Sequence, residues 1–134
     1  KFSKLSKLLD ANYLIIWGDL KEKRMAEEIK ELSPNVKICS KLSLKSLVAL
    51  ISNADLVIGP DTGPTHISWA INVPSITLFG PTPGYRNTYE TDKNKIIESN
   101  SRVNPYKIDK NDFSIQDISV DEIILVARDL LKQN

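Results

Sequence analysis

The sequence predicts an α/β fold built on a doubly wound parallel sheet, and three observations carry that prediction. Apolar runs of strand length alternate with amphipathic helical stretches from end to end. The runs Tyr13–Trp17, Val36–Cys39, Leu56–Ile58 and Ser75–Phe79 are apolar on both faces, as strands covered on two sides are. Each run also ends in glycine, proline or a polar turn residue. At 134 residues, with 41% hydrophobic and 26% charged residues, the chain is long enough to bury a core as one domain.

The elements follow in order. Residues 3–10 form a short amphipathic helix with Leu5, Leu8 and Leu9 on one side. Tyr13–Trp17 is the first strand, closed by Gly18. Asp19 caps a helix over 20–32 whose buried stripe is Met25, Ile29 and Leu32. Ser33-Pro34 stops it, because a residue before proline avoids the helical region.

Val36–Cys39 is the second strand, and Ser43 then caps a helix carrying Leu44, Leu47, Val48 and Ile51. Leu56–Ile58 is the third strand. Pro64 takes the first position of the next helix, where its missing N–H costs nothing. That helix runs to about Ile71, before Asn72-Val73-Pro74. Ser75–Phe79 is the fourth strand, residues 80–94 a long loop rich in Pro, Gly and Asn, and Ile96-Ile97 the centre of a fifth strand. Residues 100–117 are polar and irregular, and Ser119–Glu122 is a capping box that opens a last helix to about 132. A doubly wound domain normally begins with a strand, so the opening helix predicts that a leading strand is missing.

Composition excludes several function classes. A net charge of +1 gives no electrostatic footprint for nucleic acid. No apolar stretch approaches the ~20 residues of a membrane span. Lys1, Lys4 and Lys7 read as a solvated helix face. Cys39 is the only cysteine and His66 the only histidine, so neither an internal disulfide nor a metal cluster is expected. The Walker pattern and the Gly-x-Gly-x-x-Gly fingerprint are both absent.

The chemistry concentrates at the end of the third strand, in Gly59-Pro60-Asp61-Thr62-Gly63-Pro64-Thr65-His66. Ligands of open α/β sheets bind at the carboxyl ends of strands, and a helix start offers N–H groups and a positive dipole end to an anion. A lone histidine is more often structural than functional. In the first turn after a strand-end glycine, however, His66 is placed to donate to a phosphate oxygen. Thr62 adds a hydroxyl donor, and Gly63 lets backbone approach a ligand closely. Asp61 repels a diphosphate, which leaves it three roles: capping the helix, orienting a donor group or accepting a sugar hydroxyl. Glu22, after Trp17-Gly18, is either a first-turn glutamate favoured by the helix dipole or a ribose ligand. Trp17 and Trp69 read as core.

With these residues in view, the chain resembles the lipopolysaccharide heptosyltransferases, glycosyltransferase family 9, nearest the heptosyltransferase I branch. The resemblance rests on Gly59–His66, on Pro74-Ser75-Ile76-Thr77-Leu78-Phe79-Gly80-Pro81-Thr82, on Trp17-Gly18 with Glu22, and on Lys41-Leu42-Ser43-Leu44. It implies the carboxy-terminal, Rossmann-like, donor-binding half of a GT-B enzyme across residues 1–134. The catalytic base and the acceptor surface would lie in an amino-terminal domain outside this chain. An inverting transfer of heptose from ADP-heptose to the lipid A–Kdo inner core would follow, without cofactor or metal, at the cytoplasmic face of the inner membrane. Glu22 would hold the ribose and Leu42 would lie against the adenine, while Asp61, Thr62, Gly63 and His66 would surround the diphosphate and sugar. No residue of this chain is implied as the base, so the chain alone is expected to be inactive. A GT-B enzyme of different sugar chemistry, such as another transferase or an epimerase, and a non-catalytic flavodoxin-like module remain open.

Overall fold

A computed structural model describes residues 1–80, 84, 90–99 and 113–132. The chain divides into two compact units, Lys1–Leu47 and Val48–Asn134. Parts of the expected 80–94 loop and 100–117 stretch, Pro81 and Thr82 included, lie outside the described residues.

In the first unit, helix α1 (Phe2–Leu8) precedes strand β1 (Tyr13–Ile15), helix α2 (Leu20–Leu32) and strand β2 (Val36–Ile38). β1 and β2 pair in parallel, Tyr13 opposite Val36 and Ile15 opposite Ile38. Asp19 caps α2 as expected, its carboxylate accepting from the Glu22 N–H at 2.8 Å. Ser33 and Pro34 end the helix.

Three expectations fail in this unit. The buried face of α2 is not the Met25–Ile29–Leu32 stripe. Met25 is 54% and Leu32 62% exposed, whereas Ala26 is buried. Close approach selects the small residues: Ala26 sits in the buried face, and the buried Ser33 donates to the Ser3 carbonyl at 3.1 Å. In α1, Leu5 and Leu9 are buried but Leu8 is exposed. β1 ends two residues early, and its central Leu14 is 52% exposed rather than covered on both faces.

Helix α3 (Leu44–Ser52) spans the boundary between the units and is capped by Ser43, whose Oγ accepts from the Ser46 N–H at 3.1 Å. Ile51 is buried, but Leu44 is exposed.

In the second unit, strand β3 (Val57–Pro60), helix α4 (Gly63–Ala70), strand β4 (Ser75–Phe79) and strand β5 (Asn94–Glu98) form a parallel sheet of order β3-β4-β5. The two-sided expectation holds for β4, all five residues of which are buried, but not for β3, where Val57, Ile58 and Gly59 are half-buried and Pro60 is exposed. α4 begins at Gly63, one residue before the expected start, with Pro64 at its second position. It ends in a Schellman motif. Asn72 takes the left-handed conformation (φ 58°) that asparagine tolerates. Its N–H reaches the Trp69 carbonyl at 3.2 Å, and that of Val73 reaches Ser68 at 2.9 Å. The buried Asn94 side chain donates to the Val73 carbonyl at 2.8 Å and to Ser75 Oγ at 3.0 Å, which fixes the entry to β4.

Helix α5 (Val120–Lys132) buries Ile123, Ile124, Ala127 and Leu130. Ser119 caps it through the Asp121 N–H at 3.2 Å, one residue earlier than the capping box requires. A 3₁₀ turn over Ser114–Asp117 closes on the end of β4: a Cβ at Gly80 would lie 2.8 Å from Ile115 Cβ and 3.0 Å from its backbone nitrogen. Ser99 Oγ meets Ser114 Oγ at 3.0 Å and donates to the Gly80 carbonyl at 3.2 Å.

Candidate functional site: the turn between β3 and α4

The turn is set by the sequence around it. Pro60 ends β3, and Thr62 stands at the helix N-cap with an extended backbone (φ −145°, ψ 174°). The fully buried Thr65 holds the turn together. Its Oγ1 lies 2.8 Å from the Thr62 carbonyl and 3.0 Å from that of Pro60, and it accepts the Thr62 N–H at 3.3 Å. A hydroxyl has one proton, so it serves one carbonyl at a time. Thr65 was not among the expected site residues. Its signal was its place three residues after a threonine N-cap, where a polar side chain reaches back.

Asp61, Thr62, Gly63 and His66 therefore stand together at the carboxyl end of β3. Asp61 Oδ1 is 2.7 Å from His66 Nε2, with the Asp61 side chain only 14% exposed and that of His66 48%. The Asp61 carboxylate is thus within hydrogen-bond distance of the imidazole, an arrangement compatible with orientation of a donor group. The Trp69 ring stacks against the imidazole, with centroids 4.5 Å apart and planes tilted by 42°. Trp69 is thus half-buried beside the site rather than plain core. The three-residue helical spacing from His66 is the signal for that contact.

Gly63 is exposed, and a Cβ there would meet no atom within 4 Å. Its N–H belongs to the first helical turn, which leaves backbone donors without helical partners. The neighbouring Pro64 has no N–H to contribute. Thr62 is exposed, its hydroxyl 3.4 Å from the Pro60 carbonyl.

Glu22 and Leu42 belong to the first unit, following β1 and β2 respectively. Glu22 Oε2 accepts the Gly18 N–H at 2.6 Å while its own N–H is held by Asp19. Glu22 therefore stands in the first turn of α2, as the helix-dipole reading expects, with Oε2 held by the Gly18 N–H. Leu42 is half-buried in the connection from β2 to α3. Trp17 is also half-buried rather than core, its Nε1 donating to the Cys39 carbonyl at 2.8 Å with Lys23 Nζ 5.6 Å above the ring. Burial pushes the Cys39 thiol above its ordinary pKa. Among the described residues, no group of three or more His, Cys, Asp or Glu is placed to hold a metal, and no helix is long and apolar enough to cross a membrane.

Residues 1–113 match the family described as glycosyltransferase family 9 (heptosyltransferase). The chain belongs to glycosyltransferase family 9. Within the family it is 43% identical over 119 residues to lipopolysaccharide heptosyltransferase 1 of Campylobacter coli, an alignment covering 85% of this chain and 35% of that protein. Its fold is similar to a glycosyltransferase family 9 structure from Veillonella parvula (TM-score 0.82, 20% identity, 99% of this chain and 41% of that one). It is similar also to E. coli heptosyltransferase WaaC with ADP-2-deoxy-2-fluoro heptose (TM-score 0.73, 20% identity, 95% and 36%). The chain spans about a third of the length of the Campylobacter coli protein. The parallel α/β architecture expected from the sequence is that of these family structures.

Proposed function

We propose that residues 1–134 are the carboxy-terminal, donor-binding part of an inverting heptosyltransferase of the heptosyltransferase I type. The longer enzyme would transfer heptose from ADP-heptose to the lipid A–Kdo inner core of lipopolysaccharide, at the cytoplasmic face of the inner membrane, with no cofactor. The observation that carries the reading is the β3–α4 turn. An exposed imidazole 2.7 Å from the Asp61 carboxylate belongs to the first turns of a helix whose Gly63 would meet no atom within 4 Å of an added Cβ. Family membership supports the same reaction class, and a relative of similar fold was solved with an ADP-heptose analogue.

In this reading, the Gly63 N–H, Thr62 and His66 hold the diphosphate and stabilise charge on it as the sugar departs. Asp61 keeps the imidazole in place. Glu22 offers Oε1 to the ribose hydroxyls, and Leu42 offers an apolar face to the adenine. The general base and the acceptor surface belong to a separate amino-terminal domain of the longer protein.

The test is calorimetric titration of the chain with ADP, ADP-heptose and UDP. Binding of the two adenine nucleotides in preference to UDP is expected. His66→Ala should weaken ADP by about 10- to 100-fold, the cost of a hydrogen bond to a charged group, with an unchanged circular dichroism spectrum. Equal affinity of the variant and the parent would remove His66 from the site.

A further inference from the structure

Resting on the reading of the 61–66 turn as a diphosphate site, we propose that Thr65 is a positioning residue for it, acting through its buried hydroxyl. Thr65 itself touches no ligand; it turns the Gly63 N–H outward and holds it there. The peptide between Thr62 and Gly63 is planar and trans, so its C=O and its N–H point in opposite directions. Thr65 is fully buried, and its Oγ1 lies 2.8 Å from the Thr62 carbonyl. That carbonyl is therefore turned toward the buried hydroxyl, and the Gly63 N–H is turned away from it. Gly63 is exposed, and the helix start leaves its N–H without a helical partner.

The helix supplies part of this geometry, because the Thr62 carbonyl also takes the first helical bond, from the His66 N–H at 3.2 Å. Helix ends fray, however, and what the hydroxyl adds is a tie to the strand. The same Oγ1 lies 3.0 Å from the Pro60 carbonyl and accepts the Thr62 N–H at 3.3 Å. One atom thus gathers backbone groups from both sides of Asp61 and joins the end of β3 to the start of α4. The Thr65 methyl has a different neighbour: it faces Gly59, 3.6 Å from where a Cβ would stand there. A donor fixed in advance costs a ligand less ordering than one that must be fixed on binding. The hydroxyl should therefore show itself in affinity for phosphate, and the methyl should not. Thr65→Val keeps the branched shape and removes the hydroxyl, whereas Thr65→Ser keeps the hydroxyl and removes the methyl.

The experiment titrates the parent chain, Thr65→Val and Thr65→Ser with ADP and with adenosine, which carries no phosphate. NMR chemical shifts follow the titrations, since they read weak binding as well as tight, and circular dichroism verifies the fold of each variant. Thr65→Val should weaken ADP by about tenfold, one hydrogen bond's worth, and leave the adenosine affinity unchanged. Thr65→Ser should bind ADP nearly as the parent chain does. Should Thr65→Val fail to fold, Thr65→Ala takes its place, because the space it opens admits water to the two carbonyls.

A variant without the hydroxyl that binds ADP as the parent does overturns the inference. If His66→Ala still weakens ADP in that case, the donor-site reading stands without it. Equal losses for ADP and adenosine, or a loss in Thr65→Ser as large as in Thr65→Val, would reduce Thr65 to packing and overturn the inference too. A parent chain that binds no ADP overturns the donor-site reading and this inference together.

Discussion

At Gly63 neither packing nor backbone conformation calls for glycine. A Cβ would meet no atom within 4 Å, and no described glycine has a positive φ. Alanine at this first helical position should leave stability unchanged or raise it by up to about 1 kcal/mol, because it narrows the unfolded ensemble. If the diphosphate rests on this backbone, Gly63→Ala weakens ADP binding all the same. Thermal melts paired with ADP titrations of the variant separate the two effects, and undiminished affinity would take Gly63 out of the site. Cys39 gives a second residue-scale expectation. Burial disfavours its thiolate and raises its pKa, and only the thiolate is alkylated. Iodoacetamide should modify it more slowly than a free cysteine at pH 8, with the rate still climbing at higher pH. A rate equal to that of free cysteine would show the thiol to be solvated. The sequence placed Asp61, Thr62, Gly63 and His66 together because they follow one another out of a strand into a helix. It left the role of Asp61 open, since spacing does not say toward which neighbour a carboxylate turns.

Among the elements, starts were easier to read than faces. Asp19, Ser43 and Ser119 mark the beginnings of α2, α3 and α5 through short-range bonds that the local sequence dictates. The face that α2 buries depends on how closely a neighbour approaches, and Ala26 and Ser33 allow an approach that Met25 and Leu32 do not. Apolar periodicity alone selected the wrong stripe. β1 stops at Ile15 for a related reason. Its last ladder bond is the Cys39 N–H to the Ile15 carbonyl, 2.9 Å, after which Trp17 turns its indole N–H to the Cys39 carbonyl. At the other end of the chain, Gly80 is a glycine that packing demands, because the backbone of the 3₁₀ turn lies against it. Gly80→Ala should cost about 1–3 kcal/mol, as overpacking does. The denaturant midpoint should fall with the slope unchanged; an unshifted midpoint would show that Ile115 can retreat.

For the whole molecule, the prediction concerns what 134 residues can do alone. In the proposed function the site residues of this chain would bind and polarise a donor, and none of them is assigned the acceptor's proton. The pure chain should bind ADP-heptose and yet transfer no heptose to a lipid A–Kdo acceptor, as followed by mass spectrometry of the acceptor. Transfer by the chain alone would mean that it contains a base not recognised among its residues. The contact between Gly80 and Ile115 also has a consequence in time. Ribosomes add about 5–20 residues per second, so Ile115 emerges roughly two to seven seconds after Gly80. During that interval the carboxyl end of β4 has no 3₁₀ turn against it. Nascent chains of this protein should therefore pass through a stage in which β3 and β4 are complete and the end of their sheet is still open to whatever meets it.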